Sequence, residues 1–137
     1  MNELAEAFLN TKDIISGKKK VWYFAHPYTR YKEKDGNIIT EEANIMNCID
    51  QVNYLLNKGY NIYPPIIWTH QVHKFYDKPY DFWWNYNIPM MDKCDGIILG
   101  MDWEQSSGCR KEKEYFEKQE KEVLDFIEDI MDEDFIK

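Results

Sequence analysis

Glu112 is an acid on a face that is otherwise apolar. It closes the run Asp95 to Glu112, DGIILGMDWEQSSGCRKE, in which a short apolar segment gives way to a polar loop, two serines, a glycine and a helical pattern. At helical spacing Glu112 stands three and four residues before Tyr115 and Phe116 and shares their inward face, whereas Lys111, Glu114 and Lys118 point elsewhere. Two readings follow. A first-turn acid interacts favourably with the helix dipole, worth about 0.3 to 1 kcal/mol. The other reading puts the carboxylate in the crevice at the carboxyl ends of the strands, where open α/β sheets bind ligands, as a nucleophile or general base.

Other side chains could join it. His26 and Tyr28 follow an apolar run, in HPYTR, and are either pocket residues or satisfied turn residues. His70 and His73 are three apart and on a helix could share a face with Asp77, half of a metal site. No matching Cys or His cluster completes it, so a hydrogen-bonded or exposed pair is expected and no metal. Trp83, Trp84 and Trp103 could stack a planar ligand, although such aromatics also make core or subunit contacts. Trp103 is favoured for a ligand because it occupies the polar loop.

The elements that must position these groups are legible as short patterns. Gly96 to Leu99 is too brief for a helix and reads as a central parallel strand; Ser106 or Ser107 then caps a helix beginning near Gly108 or Cys109. Val21 to Ala25 reads as the first strand, ended by Pro27. Lys32 to Ile39 reads as an exposed loop around the turn pair Asp35 and Gly36. Thr40 should cap a helix to about Asn57, with Ala43, Met46, Ile49, Val52 or Asn53, and Leu56 inward, and Gly59 ending it. Tyr60 to Tyr63 is a second strand, Trp68 to Tyr86 is partly helical, and Val123 to Phe126 forms a short last strand. Helices at about 3–15 and, acidic, at about 127–136 flank a single domain over 1–137. The order predicts an α/β, flavodoxin-like (Rossmann-like) three-layer domain around a mainly parallel sheet of four or five strands. Loops after the first and third strands should meet at the crevice.

Composition narrows the partners. The chain has 137 residues, 44% hydrophobic and 16% aromatic, enough for a core without disulfides. Three cysteines, an odd number lacking any CxxC spacing, suit a reducing cytoplasm better than a secreted framework, with Cys48 and Cys94 read as buried. A formal net charge of −8 argues against long nucleic acid, which needs a basic surface, but a helix N-terminus with a few local cations can still bind a small anion. No run is long enough for a membrane span, so a soluble protein is expected.

VWYFAHPYTR, followed by CDGIILGMDWEQSSGCRKE, resembles the nucleoside 2-deoxyribosyltransferase-like superfamily, which includes nucleotide N-glycosidases. The most specific part is the spacing of Trp103, Ser106, Gly108 and Glu112. The resemblance implies a flavodoxin-like fold and a glutamate nucleophile at Glu112 that attacks the anomeric carbon of a (deoxy)nucleoside or its 5′-monophosphate, with no cofactor. It implies that His26, Pro27, Tyr28, Asn44 and Asn87 orient sugar or base. Asp102, Trp103, Ser106, Ser107, Gly108 and Arg30 or Arg110 would surround the remainder of the ligand. A carboxylate suits this chemistry because the transition state is oxocarbenium-like. Two positions depart from the family: His26 replaces the usual small glycine before Pro27, and Asn87 stands where an aspartate assists the departing base. An amide can hold a base but cannot act as a general acid. A nucleotide-binding sensor or sequestering protein without turnover is the alternative, and an interaction domain using the aromatic surface is a third. A homodimer or higher homo-oligomer is compatible with each.

Overall fold

Two four-residue strands, each buried along its whole length, form the centre of the molecule. They are β1 (Trp22–Ala25) and β5 (Gly96–Leu99), as expected of parallel strands covered on both faces. The computed structural model describes residues 19–136, so the helix expected at about 3–15 lies outside the described residues.

From β1 the chain forms a small antiparallel hairpin, β2 (Tyr31–Lys32) and β3 (Ile38–Ile39). This replaces the expected plain loop. Asp35 and Gly36 still make the turn, with Gly36 at φ +94° and the Asp35 carboxylate accepting from Asn37 N at 2.9 Å. Helix α1 (Glu41–Asn57) follows, then β4 (Ile62–Tyr63), α2 (Pro65–Phe75), α3 (Tyr80–Lys93), β5, α4 (Ser107–Lys118) and β6 (Glu122–Asp125). The four longer-range strands pair in the order β4-β1-β5-β6, all parallel. The fold is α/β, three-layered and flavodoxin-like. The chain leaves β1 toward β4 and returns across it to β5, so the loops after β1 and β5 diverge and open a crevice.

The pleat divides the core in two. Trp22, Phe24 and Ile98 face α1, with Cys48, Leu55 and Phe126. Tyr23, Ala25, Ile97 and Leu99 face α3 and α4, with Met91, Cys94, Cys109 and Phe116. All three cysteines are buried and unpaired by disulfides. Among the described residues no helix is long and apolar enough to cross a membrane.

Three further expectations change. Thr40 Oγ1 caps α1 by accepting from Ala43 N at 3.1 Å, and Gly59 follows its end at φ +93°, but the buried face is Asn44, Ile45, Cys48, Gln51 and Leu55. Met46, Ile49 and Leu56 are exposed. The helix is rotated from the apolar expectation because Asn44 and Gln51 find buried hydrogen-bond partners, Asn44 in the carbonyls of Tyr28 and Thr29 and Gln51 in His26 and Met101 N. The strand expected over Tyr60 to Tyr63 shortens to Ile62–Tyr63. The expected C-terminal acidic helix is instead a π turn (Phe126–Ile130) and a 3-10 turn (Glu133–Ile136) separated by extended Met131. Local carboxylates capture the backbone there: Asp125 accepts from Ile127 N and Glu128 N, and Asp132 accepts from Asp134 N while pairing with Lys58 at 2.6 Å.

Candidate functional site

At the diverging loops lies a cavity of about 460 Å³. Four segments wall it. The loop after β1 supplies His26, Tyr28, Thr29 and Arg30; α2 supplies Ile66, Thr69, His70 and His73; α3 supplies Tyr80, Trp83, Trp84 and Asn87; and Gln105 with the start of α4 closes it through Ser106 to Arg110 and Glu112. Lys78, between α2 and α3, also lines it.

Glu112 reaches the cavity from the second turn of α4. Its carboxylate accepts a hydrogen bond from the hydroxyl of Tyr23, a fully buried β1 residue 89 positions earlier. Burial pushes the Glu112 carboxyl up to about 7, opposed by the Tyr23 hydrogen bond, which favours the carboxylate. Burial, then the neighbouring Glu112 charge, holds the Tyr23 phenol well above its ordinary value, so it remains a donor. An acid raised to neutrality by its surroundings, inside a cavity, is the pattern of a functional group.

Ser106 is the cap, its Oγ accepting from Cys109 N at 3.1 Å. That leaves the Ser107 and Gly108 amides of the first turn directed toward the cavity end of the helix. Replacing the cap, Ser106→Ala, is expected to cost about 1 kcal/mol and to lower the melting midpoint by about 3 °C. A midpoint unchanged in thermal denaturation would show that the serine contributes nothing as a cap.

His26 is buried and spoken for at both nitrogens. Nδ1 donates to Pro27 O at 2.9 Å, and Nε2 accepts from Gln51 Nε2, also at 2.9 Å. Gln51 in turn donates to Asn47 O at 3.1 Å and accepts from Met101 N at 2.9 Å. This chain ties α1 to the loops after both β1 and β5. Burial lowers the His26 pKa to about 4, so the ring is neutral and holds the loop rather than moving protons. Asn44 acts similarly, donating to Tyr28 O at 3.0 Å and Thr29 O at 3.3 Å.

The geometry gathers His26, Tyr28, Arg30, Asn87, Ser106, Ser107, Gly108 and Glu112 at one cavity. Pro27 and Asn44 lie buried behind it, and neither Asp102 nor Trp103 lines it. Asp102, in the left-handed region at φ 64°, accepts from the Tyr31 hydroxyl at 3.1 Å. Trp103 packs on the core and donates from Nε1 to Asp125 at 3.0 Å. Trp83 and Trp84, less favoured from sequence, are the two tryptophans at the cavity. Asn87 Oδ1 is buried without a hydrogen-bond partner among the described residues.

Sequence reasoning passed over Tyr23, Gln51, Lys78, Tyr80 and Gln105. Only Tyr23 left a signal, since a tyrosine inside a wholly buried strand must find a partner for its hydroxyl. The cavity carries Arg30, Lys78 and Arg110 against one carboxylate, a local cationic excess on a chain of net charge −8. Among the described residues no group of three or more His, Cys, Asp or Glu side chains could hold a metal ion. His70 instead bonds the Tyr28 hydroxyl at 2.7 Å, and His73 Nδ1 lies 3.4 Å from Asp77.

A family model described as "Domain of unknown function (DUF1937)" matches residues 20–128. The chain belongs to the DUF1937 family. Every residue lining the cavity falls within the DUF1937 match, as does the whole four-stranded sheet. No curated protein matches the chain.

Proposed function

We propose that this DUF1937 protein breaks the N-glycosidic bond of a (deoxy)nucleoside or nucleoside 5′-monophosphate, passing the sugar to water or to a second base. The observation that carries this reading is Glu112, a partly buried carboxylate raised to about 7, bonded to Tyr23 and facing a cavity of suitable size for such a ligand. A Glu112 oxygen bonds to C1′ as the C1′–N bond breaks and its electron pair leaves with the base. Water or an acceptor base then displaces Glu112. Tyr80, Trp83 and Trp84 offer faces and edges to a planar base, and Asn87 Oδ1 an acceptor for one of its N–H groups. Arg30, Lys78, Arg110 and the amides at the start of α4 favour an anionic end such as a 5′-phosphate. Three buried thiols suit a reducing cytoplasm. Self-assembly belongs to the same proposal, supported by exposed Phe75, Tyr76, Tyr80 and Phe82 on the segments that wall the cavity.

The test is incubation with a panel of nucleosides and their 5′-monophosphates, with and without an acceptor base, following free base by chromatography. Because the nucleophile is the ionised form, kcat/KM should rise with pH through about 7. Tyr23→Phe removes the hydrogen bond that favours the carboxylate, so this rise should move about one pH unit higher, with roughly tenfold lower activity below it. A pH profile identical to that of the unmodified protein would remove Tyr23 from the account.

The second reading is a nucleotide-binding protein without turnover. It is favoured by Asn87, whose amide has no acidic proton to give a departing base. Nucleotide binding measured by calorimetry, with no base released, would establish it over the first.

A further inference from the structure

Resting on the glycosidic reading, the question is which group supplies the proton that the departing base needs. Asn87 lacks one. His26 is neutral, with both ring nitrogens engaged inside the protein. Burial raises the Cys109 thiol far above its ordinary value, and Glu112 is committed as nucleophile. The remaining close pair of titratable groups in the wall is Tyr28 and His70, with the phenol oxygen 2.7 Å from His70 Nδ1 and the rings edge to face at a centroid distance of 5.4 Å.

From this geometry we infer that Tyr28 is the general acid toward the departing base and that His70, bonded to the Tyr28 oxygen through Nδ1, positions it and stabilises the phenolate that proton loss leaves. Topology places the pair appropriately. His70 lies on the helix after β4 and Glu112 on the helix after β5, and these strands flank β1 on opposite sides. A sugar held between them meets its nucleophile from one wall and its acid from the other, as displacement at C1′ requires. The Tyr28 loop is fixed by Asn44, which binds the carbonyls of Tyr28 and Thr29. Burial first, then the charges of Glu41, Glu42 and Asp77, holds the Tyr28 phenol above its ordinary value, so it keeps its proton until a stronger base is presented. His73 packs edge-on against the same ring.

The step balances without a further reagent. As the C1′–N bond breaks, the electron pair on the base nitrogen takes the Tyr28 hydroxyl proton, and the phenolate left behind accepts a hydrogen bond from His70 Nδ1–H. When water attacks C1′ and Glu112 departs, the water proton returns to the Tyr28 oxygen. His70 is a positioning residue, and Tyr28 is the group that touches the substrate.

The experiment compares a purine deoxynucleoside with its 7-methylated form, whose base already carries positive charge and leaves without an added proton. Tyr28→Phe and His70→Gln should each lower kcat on the ordinary purine roughly 100- to 1,000-fold and on the methylated one by less than about threefold. The double variant should be little worse than either single one, because the two act as a unit. A merely structural role would lower both substrates alike, and that result, or no loss on either, overturns the inference while leaving the glycosidic reading intact. No turnover of either substrate by the unmodified protein overturns both. Thermal midpoints of the two single variants check folding, and either one suffices for the comparison.

Discussion

Glu112→Gln is expected to abolish base release, by roughly four to six orders of magnitude in kcat, as removal of a nucleophile does elsewhere. Nucleotide affinity measured by calorimetry should stay within about threefold, because the amide keeps the shape and its carbonyl still accepts from Tyr23. Residual turnover near that of the unmodified protein would sink Glu112 as nucleophile.

The same substitution has a stability signature with a definite sign. Folded Glu112 titrates at about 7 against an ordinary 4.5, so between these values the folded chain retains a proton that the unfolded chain has lost. Stability falls as pH rises through that window, and the full penalty persists above about 7. His26 works the other way: at about 4 against 6.5, the folded ring is neutral while the unfolded one is protonated, and stability rises with pH across that window. The opposing slopes overlap between 4.5 and 6.5 and largely cancel. Glu112→Gln removes one of them. The variant should be more stable than the unmodified protein above about pH 7, by on the order of 2 to 3 kcal/mol, and no more stable near pH 4. Between these limits its stability should climb with pH where that of the unmodified protein is nearly level. Chemical denaturation across this range decides it, and a constant difference at every pH would contradict the raised Glu112 pKa.

The second large effect is structural. Gly96 sits in register between Trp22 of β1 and Glu122 of β6. A Cβ placed there would stand 2.5 Å from Trp22 Cζ3 and 2.7 Å from the Glu122 carbonyl oxygen. The indole lies across the neighbouring strand, buried and edge-on to Tyr60 at a centroid distance of 6.3 Å, and the carbonyl belongs to the sheet backbone. Neither can yield cheaply. Gly96→Ala should therefore cost about 3 kcal/mol by overpacking, lowering the urea midpoint with little change in slope. A loss below about 0.5 kcal/mol would mean that Trp22 swings aside at little cost.

Much of the framework is local information. Thr40 and Ser106 each cap a helix through an N–H three residues on, Gly59 takes the positive φ that follows α1, and the apolar runs at β1 and β5 are too short and too dense for anything but buried strands. Those features, with the order of the elements, specify an α/β parallel fold and direct the start of α4 toward the crevice. The hidden face of α1 was not legible, because apolar spacing chose Met46 and Ile49 while burial chose Asn44 and Gln51. A polar residue can be buried when its partners wait inside, and those partners, His26, Met101 N and the carbonyls of Tyr28 and Thr29, are distant in sequence.

The same limit governs the tryptophans and the acid. Trp103 looked like a ligand residue from its loop, yet its indole N–H is taken by Asp125, while Trp83 and Trp84 are brought to the cavity by α3. Sequence marks Glu112 as an acid on an apolar face and leaves open whether it serves only the helix dipole. Sheet order sets β1 beside β5, stands Tyr23 against the helix that follows, and thereby supplies both the desolvation that raises Glu112 and the hydroxyl that restrains it. Residue type and spacing determined which groups could do chemistry and on which elements they ride. Their protonation states and mutual reach were decided by tertiary structure, because desolvation and hydrogen bonding depend on neighbours dozens of residues away along the chain.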